Sequence, residues 1–487
     1  KYTIFVWGHN QFNDPCCWII RDYSPHCYVR IEHSIVDQEN ISEAIINALD
    51  TSLRDWVKAN CNKPAKTYLK CLSRKNRIIQ GYKIEYKLPL FYYKTGKFLL
   101  YKVFFDLEVG MSACYDFLSK NTIKFPNGVA MKAKCFNNGN SDRIATEEKA
   151  IVELKLDRCS WTYGNGYIPD DEDAFTTLKH EYRVPYKSIA RLPENYSKEL
   201  GFPRPRTISF DAETWSEIFT RFPKAARLRD CMYAMGFKLR EYSGLNCNNP
   251  RIVNYLFIIW DVAKFGEIDM PSKKYGESII IYCYDEVEFL LKIFECIQET
   301  DPSWFISFNG LGFDWPYLEE RCQVLDIKVP NISRVRSWWK TQFTVSKWKQ
   351  WQAIWPQYPG RIDVDMLNII RGQFKMVSYK LKNVVKELLP KEEGKVDLPY
   401  KTQFKIFGDK DKHGMGLIAD YLAMDIALPE KLFDKLSIPV YLHTNGGVMH
   451  VNPLQLYTTG QSIRCVHQLY ERVVARDMFV DTRPIMK

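Results

Sequence analysis

Long apolar segments are missing from this sequence of 487 residues. No stretch reaches the roughly 18 consecutive apolar residues that a membrane-spanning helix requires, so we expect no membrane partner. The most apolar stretch, IVNYLFIIWDV at residues 252–262, is short and interrupted, which is typical of a buried strand. The first residue is Lys1 rather than Met, and no signal-peptide pattern follows it. We therefore expect a piece of a longer protein that is not secreted.

Motifs of several common enzyme classes are absent as well. The sequence contains no P-loop, no H-E-x-x-H, no G-x-S-x-G and no set of kinase motifs, which argues against the enzyme classes that these motifs define. The 14 cysteines include no C-x-x-C pair, and Cys16 and Cys17 are adjacent. We therefore expect reduced thiols in a cytosolic or nuclear setting and no structural zinc.

The composition is that of a globular protein. With 46% hydrophobic and 26% charged residues, the chain is long enough for about two to four domains. Its net charge of +10 permits an anionic partner but does not identify one.

Two parts of the chain differ in pattern. Up to about residue 195, aromatic and β-branched runs such as KYTIFVWG, KFLLYKVFF and AIVELKLDRCSW alternate with turn clusters, which predicts a β-rich α+β domain. The stretch RLPENYSKELGFPRPR at 191–206 is rich in proline and arginine and is interpreted as a linker.

From residue 207 the pattern predicts a mixed sheet with flanking helices. Predicted strands at 207–213, 250–262 and 278–284 form a three-strand meander, and a helix then crosses over to a fourth strand at 303–309. The first helix begins after Asp285, with Glu288 completing a capping box, and a second begins at Pro316. The apolar stripe expected on the first helix consists of Val287, Leu290, Leu291, Phe294 and Ile297.

The first predicted strand ends in the acids Asp211 and Glu213. Side chains at i and i+2 of a strand lie on the same face, so these two carboxylates converge and repel each other. A divalent cation relieves that repulsion, and carboxylate oxygens suit Mg²⁺ or Mn²⁺. The alternative is an exposed strand end with two solvated acids.

Further acids follow at two later points of the sequence. Asp314 lies at a helix entrance, where the helix dipole favours a negative charge. Tyr421 and Asp425 are four residues apart on a predicted helix at 418–436, so they share one face. Taken singly, each of these features also fits an ordinary helix.

Together and in this order, the motifs resemble the 3′–5′ exonuclease domain of family B DNA polymerases. The three matching stretches are DAE at 211–213, NGLGFD at 309–314 and YLAMD at 421–425. GRIDVDML at 360–367 and SYKLKNV at 378–384 resemble two further family segments, although Lys382 replaces the usual Asn. KVDLPYKTQFKIF at 395–407 resembles the corresponding stretch in polymerases of large eukaryotic DNA viruses.

The resemblance implies a division of the chain into three parts. These are an N-terminal domain at 1–195, a ribonuclease-H-like exonuclease domain at 196–440, and a segment at 441–487 that leads to the palm and packs toward the N-terminal domain. The palm motifs D-x-x-S-L-Y-P-S, K-x-x-x-N-S-x-Y-G and D-T-D are absent from the sequence. We therefore expect the palm, fingers and thumb to be absent from this chain and to be supplied by the parent protein or by a second chain.

The resemblance also implies a two-metal hydrolysis that removes mismatched nucleotides from the 3′ end of DNA. Asp211 would bridge two Mg²⁺ or Mn²⁺ ions, Glu213 and Asp425 would hold the ion on the water side, and Asp314 would serve the second ion. Tyr421 would orient the attacking water.

The resemblance implies DNA contacts as well. Phe313 would stack on the terminal base and Asn309 would contact the bound strand, although core packing is an alternative role for Phe313.

A basic and aromatic segment lies between these motifs. From Lys328 to Arg361 the sequence has seven basic residues, no acid and five tryptophans, a mixture that suits single-stranded nucleic acid. We predict a β-hairpin at about 338–356 whose DNA-binding residues are Trp338, Lys340, Lys347 and Lys349. The alternative is a cluster of buried tryptophans surrounded by solvated lysines.

Three functions remain open from the sequence. The first is the N-terminal and proofreading part of a replicative DNA-directed DNA polymerase, the second a free-standing 3′–5′ exonuclease, and the third an inactive nucleic-acid-binding module. The expected partners are DNA with a single-stranded 3′ end, the remainder of the polymerase and a processivity factor. The expected location is a nuclear or cytoplasmic replication site.

Overall fold

The structure is a computed structural model of the chain. It describes residues 2–31, 39–60, 77–90, 96–136, 144–156, 159–218, 220–337, 342–348, 351–390, 392, 398–453, 455–458 and 460–480. For the hairpin strands at 342–348 and 351–357 it describes the backbone path only.

The first part of the chain combines short strands with four helices in the described residues. Its strands are β1 (Ile4–His9), β2 (Pro15–Ile20), β3 (His26–Ile31), β4 (Ile79–Pro89), β5 (Phe98–Phe105), β6 (Ile123–Lys124), β7 (Ala130–Met131), β8 (Ala133–Phe136), β9 (Thr162–Tyr163), β10 (His180–Arg183) and β11 (Ala190–Arg191). Its helices are α1 (Glu39–Asn60), α2 (Glu108–Lys120), α3 (Thr146–Glu153) and α4 (Glu194–Leu200), with 3-10 turns at Asp171–Asp173 and Tyr186–Ser188.

Two sheets organise this part. Strand β2 pairs antiparallel with β1 and parallel with β10, whereas β4, β5, β3 and β8 form an antiparallel sheet that packs against α1 and α2. The core between this antiparallel sheet and its two helices contains three cysteines. The Sγ atoms of Cys27, Cys114 and Cys135 lie within 4.8 Å of one another. Burial raises the pKa of the Cys27 thiol well above its usual value.

One prediction for this part is wrong at the level of a single element. The run AIVELKLDRCSW, expected as strand, begins inside helix α3, where the Glu148 carboxylate accepts a hydrogen bond from the Ala145 N–H at 3.1 Å and supports the first turn. The predicted linker at 191–206 contains helix α4. Its end is fixed by two bonds of 2.8 Å between Asn13 and the backbone of Arg204.

The second part of the chain contains the larger sheet. Its strands are β12 (Thr207–Ser216), β13 (Asp230–Glu241), β14 (Arg251–Ile259), β15 (Ser278–Cys283), β16 (Trp304–Ser307), β17 (Gln342–Trp348), β18 (Trp351–Gln357), β19 (Ile362–Asp365) and β20 (Met478–Phe479). Its helices are α5 (Val262–Phe265), α6 (Glu286–Thr300), α7 (Asp314–Val324), α8 (Met366–Gln373), α9 (Leu381–Leu388), α10 (Tyr400–Gly408), α11 (Lys412–Lys435), α12 (Ile438–Met449), α13 (Gln455–Thr458) and α14 (Gln461–Ala475), with a 3-10 turn at Lys273–Tyr275.

The larger sheet has six strands in the order β15-β14-β13-β12-β16-β19. Strands β12, β13 and β14 form an antiparallel meander, while β15, β16 and β19 pair parallel with β14, β12 and β16. The predicted mixed sheet is therefore confirmed. The prediction omitted β13, however, and wrongly made β15 the third strand of the meander.

The sequence pattern does not predict strand β13, because both faces of this strand are covered. Nearly every residue from Met232 to Arg240 is buried, so the strand lacks the alternation of polar and apolar residues that marks a half-exposed strand. Even its basic residues are inside: Lys238 and Arg240 pair with the buried Glu430 of α11 at 3.5 and 3.2 Å.

Helices cover the two faces of the sheet. On one face, Phe210 and Phe237 pack with α6 and α7, and Trp315 of α7 is 1% exposed. On the other face, Tyr233 and Leu422 belong to the core formed with α10 and α11. Asp285 caps α6 as predicted, since its side chain accepts the Glu288 N–H at 2.8 Å.

The predicted stripe of α6 is only partly correct. Leu290, Phe294 and Ile297 are buried together with Phe289 and Ile293, whereas Val287 and Leu291 remain exposed. The helix α7 begins at Asp314, two residues before the predicted start at Pro316.

The last described residues contact the first part of the chain. Strand β20 pairs parallel with β4. His467 of α14 lies 3.0 Å from the Glu148 carboxylate of α3, and both side chains are buried. Among the helices that the structure describes, none has both the length and the apolar character needed to cross a membrane.

Candidate active site

Strand β12 presents Asp211 and Glu213 on the same face. Burial alternates from Asp211 onward, so that Ala212 is buried while the two acids are half-buried. The pairing register with β13 shifts between Glu213 and Thr214, which marks an irregularity directly after the second acid.

Helix α11 brings Asp425 to the same point. Gly236 lies opposite Asp211 in β13, and a Cβ atom at this glycine would lie 2.9 Å from Leu422 Cγ and 3.0 Å from Ile426 Cγ2. The glycine therefore allows α11 to lie close to the sheet. As a result, one carboxylate oxygen from each of Asp211, Glu213 and Asp425 lies within 4.8 Å of the others.

Asp314 lies beside this group rather than within it. Strand β16 ends at Ser307 while β12 continues, and the Ala212 N–H donates to Asp314 Oδ1 at 3.0 Å. The side chain is only 3% exposed. Burial, with smaller contributions from the neighbouring Asp365 and Asp363, raises the pKa of the Asp314 carboxyl to about 7 against the lowering effect of backbone hydrogen bonds. A nearby cation would favour its ionised form.

Tyr421 lies one helical turn before Asp425 in α11. It is half-buried and packs against the apolar group of Val385, Met424 and Leu428. The charge of Glu213 and the Tyr421 phenol both contribute, after burial, to the raised pKa of Tyr233 on β13, which indicates that these side chains are neighbours.

The turn from β16 into α7 carries Asn309 and Phe313. Asn309 has a left-handed backbone with φ of 75°, and its carbonyl accepts the N–H groups of Gly312 and Phe313, each at 2.9 Å. Phe313 is half-buried, and its ring contacts Tyr317 and Phe222 at centroid distances of 5.6 and 5.7 Å.

Phe222 was missed by the sequence analysis. It is 64% exposed and lies in the loop between β12 and β13, which has no helix or strand periodicity to draw attention to it. The fully buried Asp230 fixes this loop by accepting bonds from Ser216 Oγ at 2.8 Å and Lys224 N at 2.9 Å. An aromatic side chain thus lies next to Phe313, the residue that precedes Asp314.

The predicted hairpin is present as β17 and β18. These strands pair antiparallel from Gln342 opposite Gln357 to Trp348 opposite Trp351. Lys347 lies on β17 opposite Gln352. Trp338, Lys340 and Lys349 lie outside the described residues, as does the side chain of Lys347, so their DNA-binding role stays a prediction.

The carboxylate group fits a divalent cation. Three carboxylates supply only oxygen donors, which are the ligands preferred by Mg²⁺ and Mn²⁺. Their mutual repulsion is strongest when all are ionised, and a cation among them removes that cost.

Fold and site together define an α/β protein with a candidate divalent-cation site on a central strand. Residues 143–384 match the sequence profile described as DNA polymerase family B, exonuclease domain. The match supports a family B DNA polymerase exonuclease region in this part of the chain, and the resemblance inferred from the motifs is confirmed.

Relatives of the chain include DNA polymerases, some of them viral. DNA polymerase 120R of Invertebrate iridescent virus 3 is 26% identical over 297 residues, which are 57% of this chain and 24% of that protein. The DNA polymerase delta catalytic subunit of Caenorhabditis elegans is 23% identical over 99% of this chain and 42% of its own length. The chain thus spans less than half of either relative.

A solved structure has the same fold. The family B DNA polymerase from the hyperthermophilic archaeon Pyrobaculum calidifontis matches with a TM-score of 0.66 and 15% sequence identity, over 100% of this chain and 50% of that chain. The likeness shows that the two chains share a fold.

Proposed function

We propose that these residues are the N-terminal and proofreading part of a replicative DNA polymerase. In this proposal the ribonuclease-H-like domain removes mismatched nucleotides from the 3′ end of DNA. The observation that carries the proposal is the convergence of Asp211, Glu213 and Asp425 beside Asp314, with Asp211, Glu213 and Asp314 inside the residues that match the family B exonuclease domain.

The cation-binding residues in this proposal are Asp211, Glu213 and Asp425, with Asp314 serving a second ion. Two Mg²⁺ or Mn²⁺ ions, when bound, would make water a stronger nucleophile and stabilise the leaving 3′ oxygen. Asp211 would serve both ions, because its carboxylate lies with that of Asp425 and the N–H of its neighbour Ala212 donates to Asp314.

The other residues would orient the two reactants. A phenol has a pKa of about 10, so at neutral pH Tyr421 acts as a hydrogen-bonding group that holds the water rather than as a base. Phe313 would stack on the terminal base, with Phe222 beside it, and Asn309 would contact the strand. Stacking tolerates any base, which suits an enzyme that must remove whichever nucleotide was misplaced.

Polymerisation would be carried by a palm region outside these residues. The support for this is the share of the relatives that the chain spans, from 24% to 42% in the two proteins above. The partners in this proposal are primer-template DNA, the remainder of the polymerase and a processivity factor. The place of action is a nuclear or cytoplasmic replication site.

A primer labelled at its 3′-terminal nucleotide and carrying a terminal mismatch tests the proposal. We expect release of the label with Mg²⁺ or Mn²⁺, no release with EDTA, and loss of activity in Asp211→Ala. Glu194→Ala is the control, because Glu194 is an exposed acid of α4 paired only with Lys198 among the contacts described. Release that persists in Asp211→Ala, or an inactive wild-type protein, would contradict the proposal.

A further inference from the structure

A second pair of acids at i and i+2 lies on β19. Asp363 and Asp365 are both 3% exposed, so they are more deeply buried than Asp211 and Glu213. Hydrogen-bond donors surround this second pair. Asp363 Oδ2 accepts the Trp315 indole N–H at 2.7 Å and the Tyr358 hydroxyl at 2.6 Å. On β19, two acids on one strand face therefore bind hydrogen-bond donors of the protein itself.

Asp365 holds the backbone of the turn that leads into α7. Its Oδ1 accepts the Asn309 N–H at 2.8 Å, and its Oδ2 accepts the Leu311 N–H at 3.3 Å. The same carboxylate caps α8, because Oδ1 also accepts the Leu367 N–H at 3.0 Å and Oδ2 accepts the Asn368 amide at 3.3 Å. The Asp365 side chain thus connects the turn that leads into α7 with the start of α8.

The turn that Asp365 holds has an unusual and crowded backbone. Asn309 adopts a left-handed conformation that side-chain-bearing residues rarely take. A Cβ at Gly310 would lie 2.5 Å from Ser307 Oγ, and one at Gly312 would lie 2.5 Å from Asn309 Oδ1. Such a backbone persists only where its surroundings fix it, and the Asp365 carboxylate bonds to the N–H groups on both sides of Gly310.

Three side chains of the candidate site depend on this turn. Asn309 is part of it, Phe313 ends it, and Asp314 follows as the first residue of α7, where it accepts the Ala212 N–H. A shift of the turn therefore moves the DNA-contacting residues and one acid together relative to β12.

We propose that Asp365 is a positioning residue of the exonuclease site, which sets the placement of Asn309, Phe313 and Asp314 through the backbone of the turn. It touches neither the DNA nor the reacting atoms. This inference rests on the proposed exonuclease function.

In Asp365→Asn, an NH2 donor replaces one of the two acceptor oxygens and faces N–H groups that it cannot bind. This substitution therefore tests the inference. We expect kcat/KM for excision to fall about 100-fold, the loss associated with a misplacement of about 1 Å, while the protein remains folded at the assay temperature. Asp50→Asn is the matched control: Asp50 is 2% exposed and accepts the Ile78 and Ile79 N–H groups at 2.8 Å in the first part of the chain. This control should lose stability and keep its kinetic constants.

A double-mutant cycle separates positioning from a general loss of structure. If Asp365 positions Phe313, then Phe313→Ala costs less in the Asp365→Asn background than in the wild type, and the two fold-losses do not multiply. Independent, multiplying losses would overturn the inference.

Two further outcomes are decisive. If Asp365→Asn does not fold, Asp365→Glu takes its place in the cycle, and if that variant does not fold either, the residue is structural and the inference is overturned. Failure of the proposed function is recognised separately, because Asp211→Ala would then leave the activity unchanged. Wild-type kinetics of Asp365→Asn in a protein whose activity does depend on Asp211 would overturn the positioning role alone.

Discussion

Gly236→Ala perturbs the candidate site without touching any of its acids. The glycine lies opposite Asp211 in β13, and its φ is not in the left-handed region, so the backbone accepts an alanine. The added Cβ would lie 2.9 Å from Leu422 Cγ and 3.0 Å from Ile426 Cγ2. Both side chains belong to α11 and are 0% exposed, so the added atom meets the packed core rather than solvent-facing groups.

The size of the effect follows from these distances. Carbon atoms in contact prefer about 3.5–4.0 Å, so α11 must move from the sheet by about 0.6–1.1 Å. Such overpacking costs about 1–3 kcal/mol of stability. The same displacement separates Asp425 and Tyr421 from Asp211, and a misplacement of about 1 Å lowers activity about 100-fold.

Excision of a 3′-labelled primer and thermal unfolding measure the two effects side by side. Gly8→Ala in β1 is the matched control, because a Cβ at Gly8 meets no heavy atom within 4 Å, so it should leave both readings unchanged. Wild-type activity and stability in Gly236→Ala would refute the idea that the approach of α11 to β13 sets the site geometry.

Three further predictions concern DNA contact and pH. Phe313→Ala should raise KM for single-stranded DNA with kcat nearly unchanged, because stacking on a base is worth about 1–3 kcal/mol; an unchanged KM would assign the ring to packing. Burial raises the pKa of Asp363 to about 7, so the folded protein binds more protons than the unfolded chain between pH about 4 and 7, and the stability due to this group falls as pH rises through that range. In EDTA, the free energy of unfolding of Asp363→Asn should therefore rise relative to that of the wild type from pH 5 to pH 8. A difference between the two proteins that does not change with pH would contradict this prediction. Replacing Lys340, Lys347 and Lys349 by Ala should reduce the salt dependence of DNA binding, and an unchanged slope would remove these residues from the interface.

The elements with a one-sided pattern were predictable from the sequence. An apolar run ending in acids predicts strand β12, and the capping residue Asp285 predicts the start of α6. Strand β13 was not predictable in this way, because helices cover both of its faces and its buried Lys238 and Arg240 resemble exposed residues until Glu430 is placed beside them.

The site was predictable to a different degree. The same-face placement of Asp211 and Glu213 follows from strand geometry, but the approach of Asp425 depends on a tertiary contact at Gly236 and was expected only through the family resemblance. The hydrogen bonds of Asp365 join residues more than 50 positions apart, and Phe222 lies in an irregular loop. No local pattern in the sequence reports contacts of this kind.

The positions of bound manganese ions test the central claim most directly. Anomalous scattering from crystals grown with Mn²⁺ should show two ions about 3.5–4 Å apart, with protein ligands from Asp211, Glu213 and Asp425 and with Asp314 beside the second ion. Manganese bound elsewhere, for example at the Asp363 and Asp365 pair, or no manganese at Asp211, would contradict the account.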